Sequence, residues 1–192
     1  MSMLFGDNAT YNYSLSGKDS AFYKLFYDCS NIINISSNFL PATTLADSCY
    51  SYMFQNCTSL TLAPELPATT LADYCYGRMF YHCTGLTTAP ELPATTLAKG
   101  CYYDMFCFCA GLTTAPELPA ITLIEKCYDH MFSNCYKLNY IKMLATNISA
   151  SNCLRNWVDS VSSTGAFVKN AAMTSLPIGE SGIPSGWIVQ NA

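Results

Sequence analysis

Eleven cysteines stand in a chain of 192 residues, and eight of them form four pairs with one internal spacing: Cys49/Cys57, Cys75/Cys83, Cys101/Cys109 and Cys127/Cys135. Thiols at fixed spacing can oxidise to disulfides, ligate zinc, or simply fill a core as small apolar groups. An odd total keeps at least one thiol out of intrachain pairing. Eight residues along one helix separate two Cα atoms by about 12 Å at 1.5 Å rise per residue, beyond the disulfide limit of about 7 Å. Free buried thiols are the expectation. Structural zinc sites are usually built on Cys-x2-Cys pairs, and there are none. The nearest approach, Cys127-Tyr128-Asp129-His130 with Cys135, occurs in one copy of a repeat whose other copies carry Tyr52, Arg78 and Asp104 at the histidine position. No metal is expected.

The remaining reactive groups are few. Glu65, Glu91 and Glu117 recur at intervals of 26 residues and would stack as a row of carboxylates able to offer oxygen ligands to a divalent cation. Repeated acids more often accept hydrogen bonds at turns, and identical environments give no means of driving two pKa values apart for acid–base catalysis. Only His82 and His130 could serve as imidazole bases, and neither sits with a Ser or Cys in a recognisable triad arrangement. Gly179-Glu180-Ser181-Gly182 is neither a nucleophile elbow nor a phosphate loop. The reading is a non-enzyme without cofactor, metal or catalytic residues.

What positions these groups is an internal repeat. Leu40-Pro41, Leu66-Pro67, Leu92-Pro93 and Leu118-Pro119 lie 26 residues apart, as do Phe54, Phe80, Phe106 and Phe132, each followed three positions later by Cys. Phe26 and Cys29 mark a partial earlier copy. Such a period signals stacked units that cannot bury their apolar faces alone. Within a unit, Thr70-Leu71-Ala72-Asp73 reads as a helix start, and Leu71, Cys75, Met79 and Cys83 give an apolar face of about three helical turns. Leu86-Thr87-Thr88-Ala89 reads as a short parallel strand ended by Pro90. Residues 1–25 and 144–192 lack the repeat and are expected to cap it: an irregular or strand-containing N-terminal cap, and a C-terminal helix (Asn152–Val161) plus a β-hairpin from Ala166-Phe167-Val168 and Gly186-Trp187-Ile188-Val189.

MFxxCxxLxxxxxLP, repeated over roughly residues 20–143, resembles the BspA-like (Treponema pallidum-type) leucine-rich repeats of bacterial surface proteins. The fold class expected is an α/β leucine-rich-repeat solenoid over residues 26–143, with a short parallel strand and a short helix in each 26-residue coil.

Composition narrows the partners. Charged residues make up 11% and the nine basic residues are scattered, so the basic stripe of a nucleic-acid binder is missing. No apolar run reaches the roughly 20 residues of a membrane span, and the first residues do not read as a signal peptide. The chain is therefore cytoplasmic, or a mature form or piece of a longer secreted protein. The resemblance favours the second, an extracellular or cell-surface setting. It implies an adhesion module that binds protein or glycan ligands of host or neighbouring cells. A structural spacer or display domain of a larger cell-surface or phage tail assembly is the alternative. Copy-to-copy variation at Tyr52, Tyr81, His82, Tyr103 and Phe108 marks an aromatic stripe suited to partner binding, since Tyr offers area and a hydroxyl at low entropic cost; the flat, hydroxyl-rich strand face of Thr61, Thr87 and Thr113 is the other candidate surface.

Overall fold

The apolar residues of each repeat recur every four positions, as Leu71, Cys75, Met79 and Cys83 beside Ala72, Tyr76 and Phe80. On an α-helix of 3.6 residues per turn, each step of four overshoots a turn by about 40°. A backbone that turns in four residues would instead hold both stripes fixed. The computed structural model, which describes residues 13–192, has that backbone. Each repeat contains a ribbon of consecutive turns in which every fourth residue adopts left-handed φ: Tyr74 (53°), Arg78 (56°) and His82 (58°), then Gly100, Asp104 and Phe108, then Lys126, His130 and Asn134.

Backbone hydrogen bonds in the ribbon alternate in direction. The N–H groups of Gly77, Met79, Tyr81 and Cys83 donate three residues back, within their own winding. Those of Tyr74, Tyr76, Arg78, Phe80 and His82 donate instead to the carbonyls of Lys99, Cys101, Tyr103, Met105 and Cys107 in the next winding, at 2.8–3.1 Å. The same ladder joins residues 20–28 to 47–55 and residues 126–134 to 151–159. Every second donor thus leaves the winding, and the i→i−4 network of an α-helix cannot form.

The expected leucine-rich-repeat solenoid of strand plus helix is therefore corrected. Among the described residues there is no α-helix, and the one helical element is the 3-10 turn Ser37–Phe39. Cys, Tyr, Phe, Asn, Asp and Ser, which crowd the ribbons, are poor helix formers, and a left-handed residue at every fourth position excludes a continuous helix. The Leu-Thr-Thr-Ala segments also fall short of strands. They make single parallel bridges, such as Leu62 with Thr88 and Thr114 with Tyr140.

Among the described residues, regular strands appear only toward the C-terminus: β1 (Tyr140–Met143), β2 (Ala166–Lys169) and β3 (Ile188–Asn191). They form one parallel sheet in the order β1-β2-β3, with Tyr140 opposite Ala166 and Ala166 opposite Ile188. The expected C-terminal helix is a further turn ribbon, left-handed at Asn152, Asn156 and Ser160. The expected hairpin is replaced by parallel pairing, because the chain between β2 and β3 crosses over instead of reversing. At the other end, Ser14 bridges to Thr44 and Leu15 joins the core. Residues 1–12 of the expected N-terminal cap lie outside the described residues.

Stacking the repeats sets like on like in the core. Phe54, Phe80, Phe106 and Phe132 pile up with centroids 5.6–5.7 Å apart and planes within 7° of parallel. Tyr50, Tyr76, Tyr102 and Tyr128 form a second pile at 5.8–6.0 Å. Offset stacking of this kind is favourable beyond the area it buries. Trp157 ends both piles, lying 6.4 Å from Tyr128 and 6.2 Å from Phe132. Its indole N–H donates to the Gly182 carbonyl at 2.9 Å, which satisfies the polar tip of a fully buried ring.

Candidate functional site

None of the eleven cysteines is in a disulfide, and all but Cys29 are buried. The second cysteine of each pair has a specific task. Cys57, Cys83, Cys109 and Cys135 donate their thiols to the carbonyls of Phe26, Phe54, Phe80 and Phe106 in the preceding winding, at 3.0–3.2 Å. Burial pushes the thiols up, Cys49 to about 11 and Cys127 to about 12, so they stay protonated and unreactive near neutrality. Among the described residues no group of His, Cys, Asp and Glu is arranged to hold a metal ion.

The predicted acid row separates into different roles. The Glu117 carboxylate accepts from Lys142 Nζ at 2.8 Å, while the Glu65 backbone N–H donates to Ser37 O. Asp73, expected at a helix start, and its equivalent Asp47 do neighbour-to-neighbour work instead. Asp47 Oδ1 accepts the Asp73 N–H at 3.0 Å, and Asp73 Oδ1 accepts the Lys99 N–H at 3.1 Å. Lys99, which breaks the Asp pattern, pairs with Glu125 of the following winding at 3.1 Å.

Chemistry collects on one side, where the left-handed residues of the ribbons stack in columns. The middle column runs Lys24, Tyr52, Arg78, Asp104, His130 and Asn156. Each step is complementary. Lys24 and Arg78 lie against the Tyr52 ring from either side, at 5.4 and 5.6 Å from its centroid. Arg78 Nε donates to Asp104 Oδ2 at 2.8 Å, and Asn156 Nδ2 approaches His130 Nε2 at 3.4 Å. Beside the column, Asp129 is fully buried and takes both Arg155 (2.9 and 3.0 Å) and His130 Nδ1 (2.5 Å). That contact orients the imidazole, with Nε2 on the side of Asn156.

These residues border an open groove of about 370 Å³ formed by Arg78, Tyr81, Tyr103, Asp104, Phe108 and His130, with Cys107 and Ser133 as its floor. The Arg78 guanidinium lies 5.3 Å from the Tyr81 ring and 5.5 Å from the Tyr103 ring. Phe108 stands edge-on to Tyr81 at 5.6 Å and to His82 at 6.1 Å. Burial raises the Asp104 carboxyl against the opposing pull of Arg78, and it raises the Cys107 thiol to about 12. Asn134 is held by Ser133 Oγ at 2.9 Å and by the Tyr136 hydroxyl at 3.0 Å. The groove offers fixed hydrogen-bonding groups and aromatic edges, and its one thiol is not activated as a nucleophile.

Of the five sequence-predicted residues, Tyr81, Tyr103 and Phe108 border this groove; His82 touches it through Phe108, and Tyr52 through Arg78. Arg78, Asp104, His130 and Asn134 were not predicted as site residues. The signal for the first three was in the chain: Arg78, Asp104, His130 and Asn156 are 26 residues apart, so a basic, an acidic, an imidazole and an amide group had to stack on one another.

No protein-family model matches the chain, and no curated protein or solved structure is significantly similar to it.

Proposed function

We propose that the chain is a non-catalytic recognition module that binds a partner in the groove bounded by Tyr81, Tyr103 and Phe108. One observation carries this reading. Left-handed φ suits Gly, Asn and Asp, and disfavours bulky side chains by about 1–2 kcal/mol per residue. Part of the chain complies, with Ser20, Asp28, Ser48, Asn56, Asp104, Asn134, Asn152, Asn156 and Ser160, and part does not, with Lys24, Tyr52, Tyr74 and Lys126. Around the groove Arg78, His82, Phe108 and His130 add four more bulky side chains at such positions. Backbone strain of this kind is characteristic of functional sites. An adhesion setting at a cell surface follows from the motif resemblance, with a protein or glycan of a host or neighbouring cell as partner.

The test is a binding screen of the purified chain against immobilised glycans and extracellular-matrix proteins. A ligand lost on Tyr81→Ala or Tyr103→Ala, with the thermal transition intact, supports the reading. Ligands that bind equally to both variants sink it. A clean negative across both panels leaves the spacer or display role as the better account.

A further inference from the structure

Resting on that recognition reading, we infer that the groove takes a neutral carbohydrate, with a sugar ring set against Phe108 and its hydroxyls bonded to His130, Asn134 and Asp159. The groove's volume of about 370 Å³ lies at the low end of small-ligand sites, about 300–1,000 Å³, and so suits one or two sugar rings.

Charge narrows the choice further. An acidic ligand needs a free cation, but Arg78 is closed by Asp104 at 2.8 Å and Arg155 by Asp129 at 2.9 Å. A cationic ligand held by cation–π contact needs open aromatic faces, and among the described residues Asp159 is the only carboxylate bordering the groove that is left to pair with it. The rings of Tyr81 and Tyr103 already hold the Arg78 guanidinium. What remains is an apolar edge from Phe108 and a set of hydrogen-bonding groups with fixed orientation. His130 is oriented by Asp129, and Asn134 by Ser133 and Tyr136. Asp159, bonded to Ser160 Oγ at 3.0 Å, has no ion-pair partner among the described residues and borders the same groove. A pyranose matches this combination: a C–H face for the Phe108 ring, and vicinal hydroxyls that both donate and accept. Held groups also lose little entropy on binding.

The decisive variant is Phe108→Asn. Phe108 has φ of 63°, a conformation that Asn adopts readily, so the substitution removes the platform without threatening the backbone. The full chain and the variant would be titrated calorimetrically with neutral, sialylated and sulfated oligosaccharides and with a basic peptide, at low and high salt. We expect neutral sugars to bind with little salt dependence, at least about tenfold weaker binding by the variant, and an unlowered thermal midpoint. Preference for sialylated or sulfated sugars, preference for the basic peptide, or no sugar binding at all would overturn the inference. A matrix protein that binds the parent chain and is lost on Phe108→Asn, with no sugar bound, would sink the carbohydrate assignment alone. If no ligand of any kind is lost on Phe108→Asn, Tyr81→Ala or Tyr103→Ala, both the assignment and the recognition reading fall.

Discussion

Removing Arg78 should expose how the column of left-handed residues is held together. The Asp104 side chain is 6% exposed and that of Arg78 33%, and they meet at 2.8 Å. In Arg78→Ala the carboxylate keeps its burial and loses its counter-charge. Breaking a fully buried pair from one side costs about 3–5 kcal/mol. Arg78 is a third exposed, so water takes over part of its role and the expected loss is about 2–3 kcal/mol at pH 7. Three guanidinium–tyrosine contacts disappear as well. Asp104→Asn isolates the charge, because Asn tolerates the φ of 53° at that position. In a double-mutant cycle read by urea unfolding, the Arg78/Asp104 coupling should reach about 1–2 kcal/mol.

The pH dependence of that loss has a definite sign. Asp104 already has a raised carboxyl in the folded protein, by burial first, with Arg78 opposing. Without Arg78 it rises further. A folded-state acid with a raised pKa binds its proton more tightly than the unfolded chain does, so stability is regained as pH falls through the folded pKa. The Arg78→Ala deficit should shrink between pH 7 and pH 5. A deficit under about 0.5 kcal/mol, the range of ordinary surface substitutions, or one that grows on acidification, would refute the account.

Four other outcomes are expected. In the native protein a thiol reagent should label Cys29 quickly and the ten buried cysteines only after denaturation; fast labelling of several thiols would contradict the packing. Because Cys49 and Cys127 keep their protons to about 11 and about 12 while unfolded thiols ionise near 8.5–9, stability should be intact below pH 8.5 and decline from there toward pH 12, measured by urea midpoint. Phe106→Ala, in the middle of its ring pile, should cost about 3–5 kcal/mol in the same assay. Gly111→Ala would set its Cβ 2.8 Å from the carbonyl oxygens of both Thr84 and Leu86, too close for real contacts, so thermal scanning should show a lower midpoint or failure to fold.

The sequence made stacking legible and the backbone within each unit illegible. The interval from Phe54 to Phe80 to Phe106 is enough to predict that like residues meet across windings, which the ring piles show. Reading Leu71, Cys75, Met79 and Cys83 as a helical face was a mistake of four residues for 3.6. Two further signs point the same way. Asn56, Asp104, Asn134, Asn152 and Asn156 fall on left-handed positions and are side chains that tolerate them. Few strong helix formers lie between them. Of the candidate site, the aromatic residues could be singled out by their variation from copy to copy. Arg78, Asp104 and His130 looked like unrelated surface choices until their common column set them against one another. Whether Asp73 caps a helix or accepts the Lys99 N–H of the next winding depends on a backbone direction that no local pattern reveals.

The alternation of hydrogen bonds in the ribbons also determines how the molecule would respond to tension. A pull between the chain ends is resisted, at each junction, by the five bonds from Tyr74, Tyr76, Arg78, Phe80 and His82 or their counterparts. The three-residue bonds inside a winding do not tie it to its neighbour. Junctions should therefore yield one at a time, each freeing a 26-residue length of chain, or about 90 Å at full extension. A force–extension trace would carry evenly spaced steps, making the protein a spring with countable turns.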